Sequence, residues 1–349
     1  MRVLFPALSK RRITGARYAE GLMLRALRRR FHVDAVYFED SPLARMPLPR
    51  EVSFLFFGYY PYLVRERYDL IITSDSYVYA DIVYVQPPAG NSITIPVKDN
   101  MLLGNGNMAR LAMRLLEHPL DEIMRKHAFF IANSQYTREL IRRCLGRESE
   151  LLYPPVPVHL YRPKPDGRKN LVVTISSLNP RKNLEVIPDL CEMVPEAHFI
   201  LIGFYMPQYD YIIREIERRL AEKGLKDKFT YLPSASPLEK NAVLERAKVL
   251  FHPTICEPFG ISLAEGMAAG AIPIDHNSGG PREFVPEEWR YNSFEEAAEK
   301  IREALKSWNL KEAERLSAKA QQFSEEKFEQ RCLSIIEKFT CKMRVVTAN

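Results

Sequence analysis

The chain is expected to fold as an α/β protein of two doubly wound domains in series, each a parallel sheet flanked by helices. Three observations predict this. Short runs rich in β-branched and aromatic residues alternate with amphipathic stretches along the whole chain. The alternation is interrupted once, by the proline-rich passage YPPVPVHLYRPKPDGRKN at Tyr153–Asn170, which cannot be helical and reads as a linker. The length, 349 residues, suits two cores of ordinary size. A hydrophobic content of 46% with 27% charged residues excludes a disordered chain.

In the first half, RVLFPAL (residues 2–8), VDAVYFE (33–39), DLIITSDS (69–76), DIVYVQPP (81–88) and FFIANS (129–134) are strand candidates. Helical stretches such as ARLAMRLLEHPLDEIMRKH (109–127) lie between some of them. After the proline-rich passage the pattern restarts with NLVVTISS (170–177), HFILIGF (198–204), KFTYLP (228–233), KVLFHP (248–253) and AIPID (271–275), separated by helices such as YIIREIERRLAEKG (211–224). The expected domains are residues 1–155 and 168–325. A last helix, 326–349, can serve either domain, including by packing back on the first.

Residues 1–150 hold 22 Lys and Arg against 16 Asp and Glu, while residues 151–349 hold 28 of each, so the excess of +6 lies in the first half. Much of it falls in SKRRITGARYAEGLMLRALRRRFH (9–32), where Arg25, Arg28 and Arg29 share a helix with Leu22, Leu24 and Leu27. Such a face is either solvated or suited to anionic headgroups or a phosphorylated acceptor. Nucleic acid is not expected, since no recognition motif accompanies the charge. The run VSFLFFGYYPYLV (52–64) is too short to span a bilayer. It reads as a buried helix or strand edge, or as an aromatic surface resting at headgroup level. No run of 18 apolar residues and no signal peptide is evident, so a cytoplasmic protein, peripheral at most, is expected. Five cysteines without a CxxC pair predict no disulfide and no zinc site.

The stretch EPFGISLAEGMAAG (257–270) carries the chemistry. It lies between two strands, and a helix begins just after Gly260 and ends at Gly270. The helix start aims free backbone N–H groups and the positive end of its dipole at the preceding loop, and glycine admits an anion closely, which makes a phosphate seat. Glu257 and Glu265 do not suit phosphate but accept hydrogen bonds from hydroxyls. A ligand with hydroxyls at both ends and a diphosphate between them, a nucleotide-sugar, has that layout.

These residues resemble the E-x7-E motif of retaining glycosyltransferases of family 4, whose GT-B fold consists of two Rossmann-like domains facing a central cleft. LNPRKNLEVI (178–187) is similar to that family's phosphate-contact loop, and IANSQYTRELI (131–141) to the end of its first domain. CEPFGISLAEGMAAG with HNSGGP (276–281) is most similar to Alg11-type α-1,2-mannosyltransferases. The resemblance implies that Glu257 and the backbone of Phe259, Gly260 and Ile261 hold the donor sugar and its phosphates, and that Glu265 holds the ribose diol. It also implies that Lys182, with Arg181, neutralises the departing diphosphate. GDP-mannose or a UDP-sugar is the implied donor, a glycan or lipid-linked molecule the acceptor, and no metal or other cofactor is required. Gly15 is expected at the donor's phosphates, and Gln86 with Lys10, Arg11 and Arg12 on the acceptor side. The chain departs from the family pattern at Ser176 and Ser177, where Gly-Arg is common, and at Gln86, where histidine is common.

Two other readings compete. A transferase-like protein can hold a nucleotide-sugar without turnover. GNGNMA (104–109) satisfies the loose dinucleotide fingerprint of an NAD-dependent oxidoreductase, but it follows no clear strand. No D-x-D triplet occurs, and His252 and His276 lack ligand spacing, so each is expected as a satisfied neighbour.

Overall fold

The computed structural model describes residues 1–7, 15–48, 50–74, 78–86, 122–204 and 207–347. Lys10, Arg11, Arg12 and the 104–109 loop lie outside the described residues. Contacts divide the chain into one unit of residues 1–154 with 328–349 and another of residues 155–327.

The first unit is built on six parallel strands, β1 (Arg2–Ala7), β2 (His32–Tyr37), β3 (Leu70–Thr73), β4 (Ile82–Val85), β5 (Phe129–Ala132) and β6 (Ser149–Leu151), in the order β2-β1-β3-β4-β5-β6. Strand β6 is absent from the sequence reading because three residues are too few to show a period. Helix α1 (Gly15–Arg28) buries Leu22, Met23, Leu24 and Leu27 against β1 and β3. In α2 (Arg50–Leu63), Phe57 is buried while Phe56, Tyr62 and Leu63 are exposed, so the aromatic run is a helix buried on one face only. Helix α3 (Gln135–Leu145) starts at Ser134, whose hydroxyl accepts from the Thr137 N–H, and ends at Gly146 with φ 63°.

The last helix, Glu325–Thr347, places Phe328, Cys332, Ile335 and Ile336 in the same core as α1. Glu329, nearly buried, is held by Arg25 at 2.6 Å and by Arg29 at 2.5 Å. Two of the three arginines read as a solvated or headgroup-facing stripe are therefore engaged by a carboxylate about 300 positions along the chain.

The second unit also has six parallel strands, β7 (Lys169–Ser177), β8 (His198–Phe204), β9 (Phe229–Pro233), β10 (Ala247–His252), β11 (Ile272–His276) and β12 (Arg290–Tyr291), in the order β12-β11-β10-β7-β8-β9. The two-residue edge strand β12 again escapes a periodicity reading. The helices that carry functional residues are α4 (Pro237–Leu244) and α5 (Ile261–Ala268). The proline-rich passage is not wholly free of helix, since Val158–Leu160 makes one 3-10 turn. Three residues suffice for it, and they set the buried Tyr161. No helix among the described residues is long and apolar enough to cross a membrane.

Candidate functional site

Chain direction decides where the site lies. From β7 the chain crosses to β8 on one side, whereas β10 leads to β11 on the other, and β7 and β10 are neighbours. Their carboxyl ends therefore open the crevice in which open parallel sheets bind ligands. The loops that leave β7 and β10 are the ones singled out in the sequence.

After β7 the chain makes a 3-10 turn at Pro180–Lys182, capped by the Asn179 side chain, which accepts from the Arg181 N–H at 2.9 Å. Asn183 ends the turn in the left-handed region, φ 49°. Its side-chain amide donates to the Pro253 carbonyl at 3.2 Å and ties this loop to the one that follows β10. In consequence the Lys182 Nζ stands 2.5 Å from the Glu257 Oε2. Arg181, an exposed residue, adds to the positive field at Glu257. Burial pushes the Glu257 carboxyl up, but Lys182, His252 and Arg181 outweigh it and hold Glu257 below the ordinary glutamate value.

The loop from His252 to Gly260 is buttressed by the residues after β11. The Gly280 N–H donates to the Glu257 carbonyl at 2.8 Å, and the Cys256 N–H to the Ser278 Oγ at 2.8 Å. A Cβ on Gly280 would stand 2.0 Å from the Pro258 carbonyl oxygen, and one on Gly279 2.3 Å from that of Glu257. Only glycine lets these two backbones approach so closely. Gly260 itself has φ 90° and precedes the first turn of α5 with no side-chain cap. The Leu263 N–H donates to the Gly260 carbonyl at 3.1 Å, so of that turn's amides those of Ile261 and Ser262 are left to a ligand or to water. Phe259 is buried against Phe284 and Phe323, ring centroids 5.1 and 4.9 Å away. Its side chain belongs to the core, so only its backbone can face a ligand. Ile261 opens α5 and is half-buried.

Glu265 lies one turn into α5 and is only 6% exposed. Its Oε1 accepts from the Lys240 Nζ at 2.5 Å and from the Tyr161 hydroxyl at 3.1 Å. Burial and the Glu265 charge push the Tyr161 hydroxyl far above its usual value, so it acts as a donor. Lys240, at the start of α4, and Tyr161, after the 3-10 turn, escaped the sequence reading; neither sits in a recognisable motif. The two glutamates thus have separate cations, Lys182 for Glu257 and Lys240 for Glu265.

Behind Glu257 lies a buried pair. Strands β10 and β11 run parallel with His252 opposite Asp275, and the His252 Nδ1 is 2.9 Å from the Asp275 Oδ1. The His252 Nε2 is 3.6 Å from the Glu257 Oε2. Burial pushes Asp275 up to about 6, against the opposing hydrogen bond from His252. His276 has a different neighbour, its Nδ1 lying 2.7 Å from the Ser278 Oγ. Both histidines are satisfied neighbours, as expected.

Gly15 and Gln86 belong to the first unit. Gly15 is the first residue of α1, and the buried Gln86 donates from Nε2 to the Ala16 carbonyl at 3.1 Å. The Gln86 carbonyl in turn accepts from the Asn133 side chain at 2.7 Å. Gln86 thereby fixes the opening of α1 beside Gly15.

Residues 161–323 match the family described as Glycosyl transferases group 1. The chain is similar to a Dictyostelium discoideum protein named GDP-Man:Man(3)GlcNAc(2)-PP-Dol alpha-1,2-mannosyltransferase, 30% identical over 191 residues, which cover 49% of this chain and 38% of that one. A Homo sapiens protein of the same name is 30% identical over 219 residues, 56% of this chain and 44% of that one. The match thus spans less than half the length of either relative. Among solved structures, Anabaena Alr3699/HepE in complex with UDP and glucose superposes with a TM-score of 0.72 at 16% identity, over 97% of this chain and 100% of that chain. At that identity the likeness shows the fold, GT-B.

Proposed function

We propose, from the glycosyl transferases group 1 domain that this chain carries at residues 161–323, that the protein is a metal-independent retaining hexosyltransferase. In this reading it moves mannose from GDP-mannose, or a sugar from a UDP-sugar, to a glycan or lipid-linked acceptor. One observation carries the reading: Lys182 and Glu257 meet at 2.5 Å beside the uncapped start of α5. A cation and the Ile261 and Ser262 amides suit the phosphates of a sugar diphosphate, and the carboxylate suits its sugar hydroxyls. The names of the two relatives favour GDP-mannose and a dolichyl-diphosphate-linked glycan.

In the proposed reaction the bond from the sugar's anomeric carbon to the diphosphate breaks. The acceptor hydroxyl forms the new bond on the same face, and its proton passes to the departing phosphate oxygen. The protein's part is to stabilise the charge that develops on the diphosphate, through Lys182 and the Ile261 and Ser262 amides at the start of α5. Glu257 orients the sugar through its hydroxyls, and Glu265 the ribose diol.

The test is transfer of labelled sugar from GDP-mannose and from UDP-sugars to a lipid-linked oligosaccharide. Product with retained anomeric configuration from one donor supports the reading. Donor binding with no transfer would favour the protein that holds a nucleotide-sugar without turnover. We place the protein at the cytoplasmic face of a membrane, with peripheral contact through Lys10, Arg11 and Arg12. Neutralising those three charges should weaken binding to anionic liposomes in a salt-sensitive way, and unchanged binding would remove that contact.

A further inference from the structure

The row Asp275, His252, Glu257 and Lys182, buried at its first two members and half-buried at the last two, holds more charge than a single lysine–glutamate contact requires. Asp275 is 1% exposed and His252 3% exposed. The parallel register of β10 and β11 sets them side by side. His252 consequently presents one ring nitrogen to Asp275 and the other to the same Glu257 oxygen that Lys182 holds.

A diphosphate competes with Glu257 for the three donors of Lys182, which stands 2.5 Å from that carboxylate. Departure of Lys182 leaves a largely buried carboxylate without its cation, which is strongly unfavourable. An imidazole carrying a proton on each nitrogen donates to both carboxylates and replaces the lost cation. We propose that His252 and Asp275 are positioning residues: by retaining a proton between them, they release Lys182 from Glu257 to the donor's diphosphate. This rests on the nucleotide-sugar reading above.

The surrounding groups leave this task to the pair. Arg181 acts on Glu257 from the β7 loop, and Arg290 lies within the field of Asp275 from β12. The Tyr291 hydroxyl donates to the His252 carbonyl at 3.2 Å, and burial pushes it well above its ordinary value. The backbone N–H of His276 donates to Asp275, while the His276 ring is turned to Ser278. Burial raises Asp275 to about 6, against the opposing hydrogen bond and charge of His252.

The experiment is calorimetric binding of GDP-mannose and UDP-glucose, whose diphosphates carry no oxygen that titrates near neutrality, from about pH 6 to about pH 9. Wild type, Asp275→Asn and His252→Gln are compared. Wild-type affinity should fall with rising pH, approaching tenfold per unit once the pair has lost its proton. Asp275→Asn removes the charge that favours the imidazolium, so the same fall should begin about one unit lower. His252→Gln should bind more weakly and without the fall. A uniform loss in Asp275→Asn with an unshifted profile, or a His252→Gln variant that keeps the wild-type fall, would overturn the inference and leave the transferase reading standing. If the wild type binds neither nucleotide-sugar at any pH, the reading and the inference fail together.

Discussion

Gly280→Ala probes the site's architecture with the smallest available change. The added Cβ would lie 2.0 Å from the Pro258 carbonyl oxygen and 2.8 Å from its carbon, both backbone atoms that no rotamer change can move. Side-chain carbons essentially never approach closer than 3.0 Å, so the two loops must part by about 1 Å or more. Overpacking of this kind costs about 1–3 kcal/mol. The separation also lengthens the 2.8 Å bond from the Gly280 N–H to the Glu257 carbonyl, worth about 1 kcal/mol. Together the expected loss is about 2–4 kcal/mol, read as a lowered midpoint in urea unfolding. The displaced segment carries Glu257, and about 1 Å of misplacement at a reacting centre can cost roughly a hundredfold in rate. Transfer should therefore fall further than stability alone explains when both are measured under folded conditions. Wild-type stability together with wild-type turnover in Gly280→Ala would refute the claim that the Ser278–Pro281 segment positions the Glu257 loop.

Lys182→Ala should lower turnover by roughly a hundredfold or more, since losing one charge-stabilising donor costs about 2.7–4 kcal/mol at the transition state, with an unchanged circular dichroism spectrum. Lys240→Met deprives the buried Glu265 of its cation, leaving the Tyr161 bond. It should cost about 1–3 kcal/mol in urea unfolding and weaken nucleotide binding. Asp275 gives a pH signature. Its folded value, about 6, stands above its ordinary 3.8, so its contribution to stability is full below about pH 4 and is lost as pH rises through about 6. Asp275→Asn should flatten the unfolding free energy across that window.

Much of the fold was legible because the longer strands, such as β7 (KNLVVTISS) and β8 (HFILIGF), are short runs rich in β-branched or aromatic residues. The helix after Gly260 was legible at both ends, since the glycines at 260 and 270 take φ 90° and 83° and stand outside Ile261–Ala268. The short edge strands β6 and β12 were not, as two or three residues hold no period. Within the site, Lys182 and Glu257 could each be singled out because each lies in a loop with a family resemblance, while their contact could not. Lys240 and Tyr161 could not, because they reach Glu265 from 25 and 104 positions away with no motif to mark them. The Asp275–His252 contact follows from register alone, and register appears only once neighbouring strands are known. The basic stripe on α1 shows the same limit in reverse, since its charge was visible while its partner, Glu329, was not.

The most direct test of the central claim, that the Glu257–Glu265 segment holds a nucleotide-sugar, is a thermal unfolding scan against GDP, UDP, ADP and their sugars, with wild type beside Glu265→Ala. A ligand at about 100 times its dissociation constant adds roughly 2.7 kcal/mol to the folded state. One nucleotide class should raise the wild-type midpoint, and Glu265→Ala should abolish the rise. A protein that ignores every nucleotide-sugar and is stabilised by NAD instead would contradict the account and turn attention to the 104–109 loop.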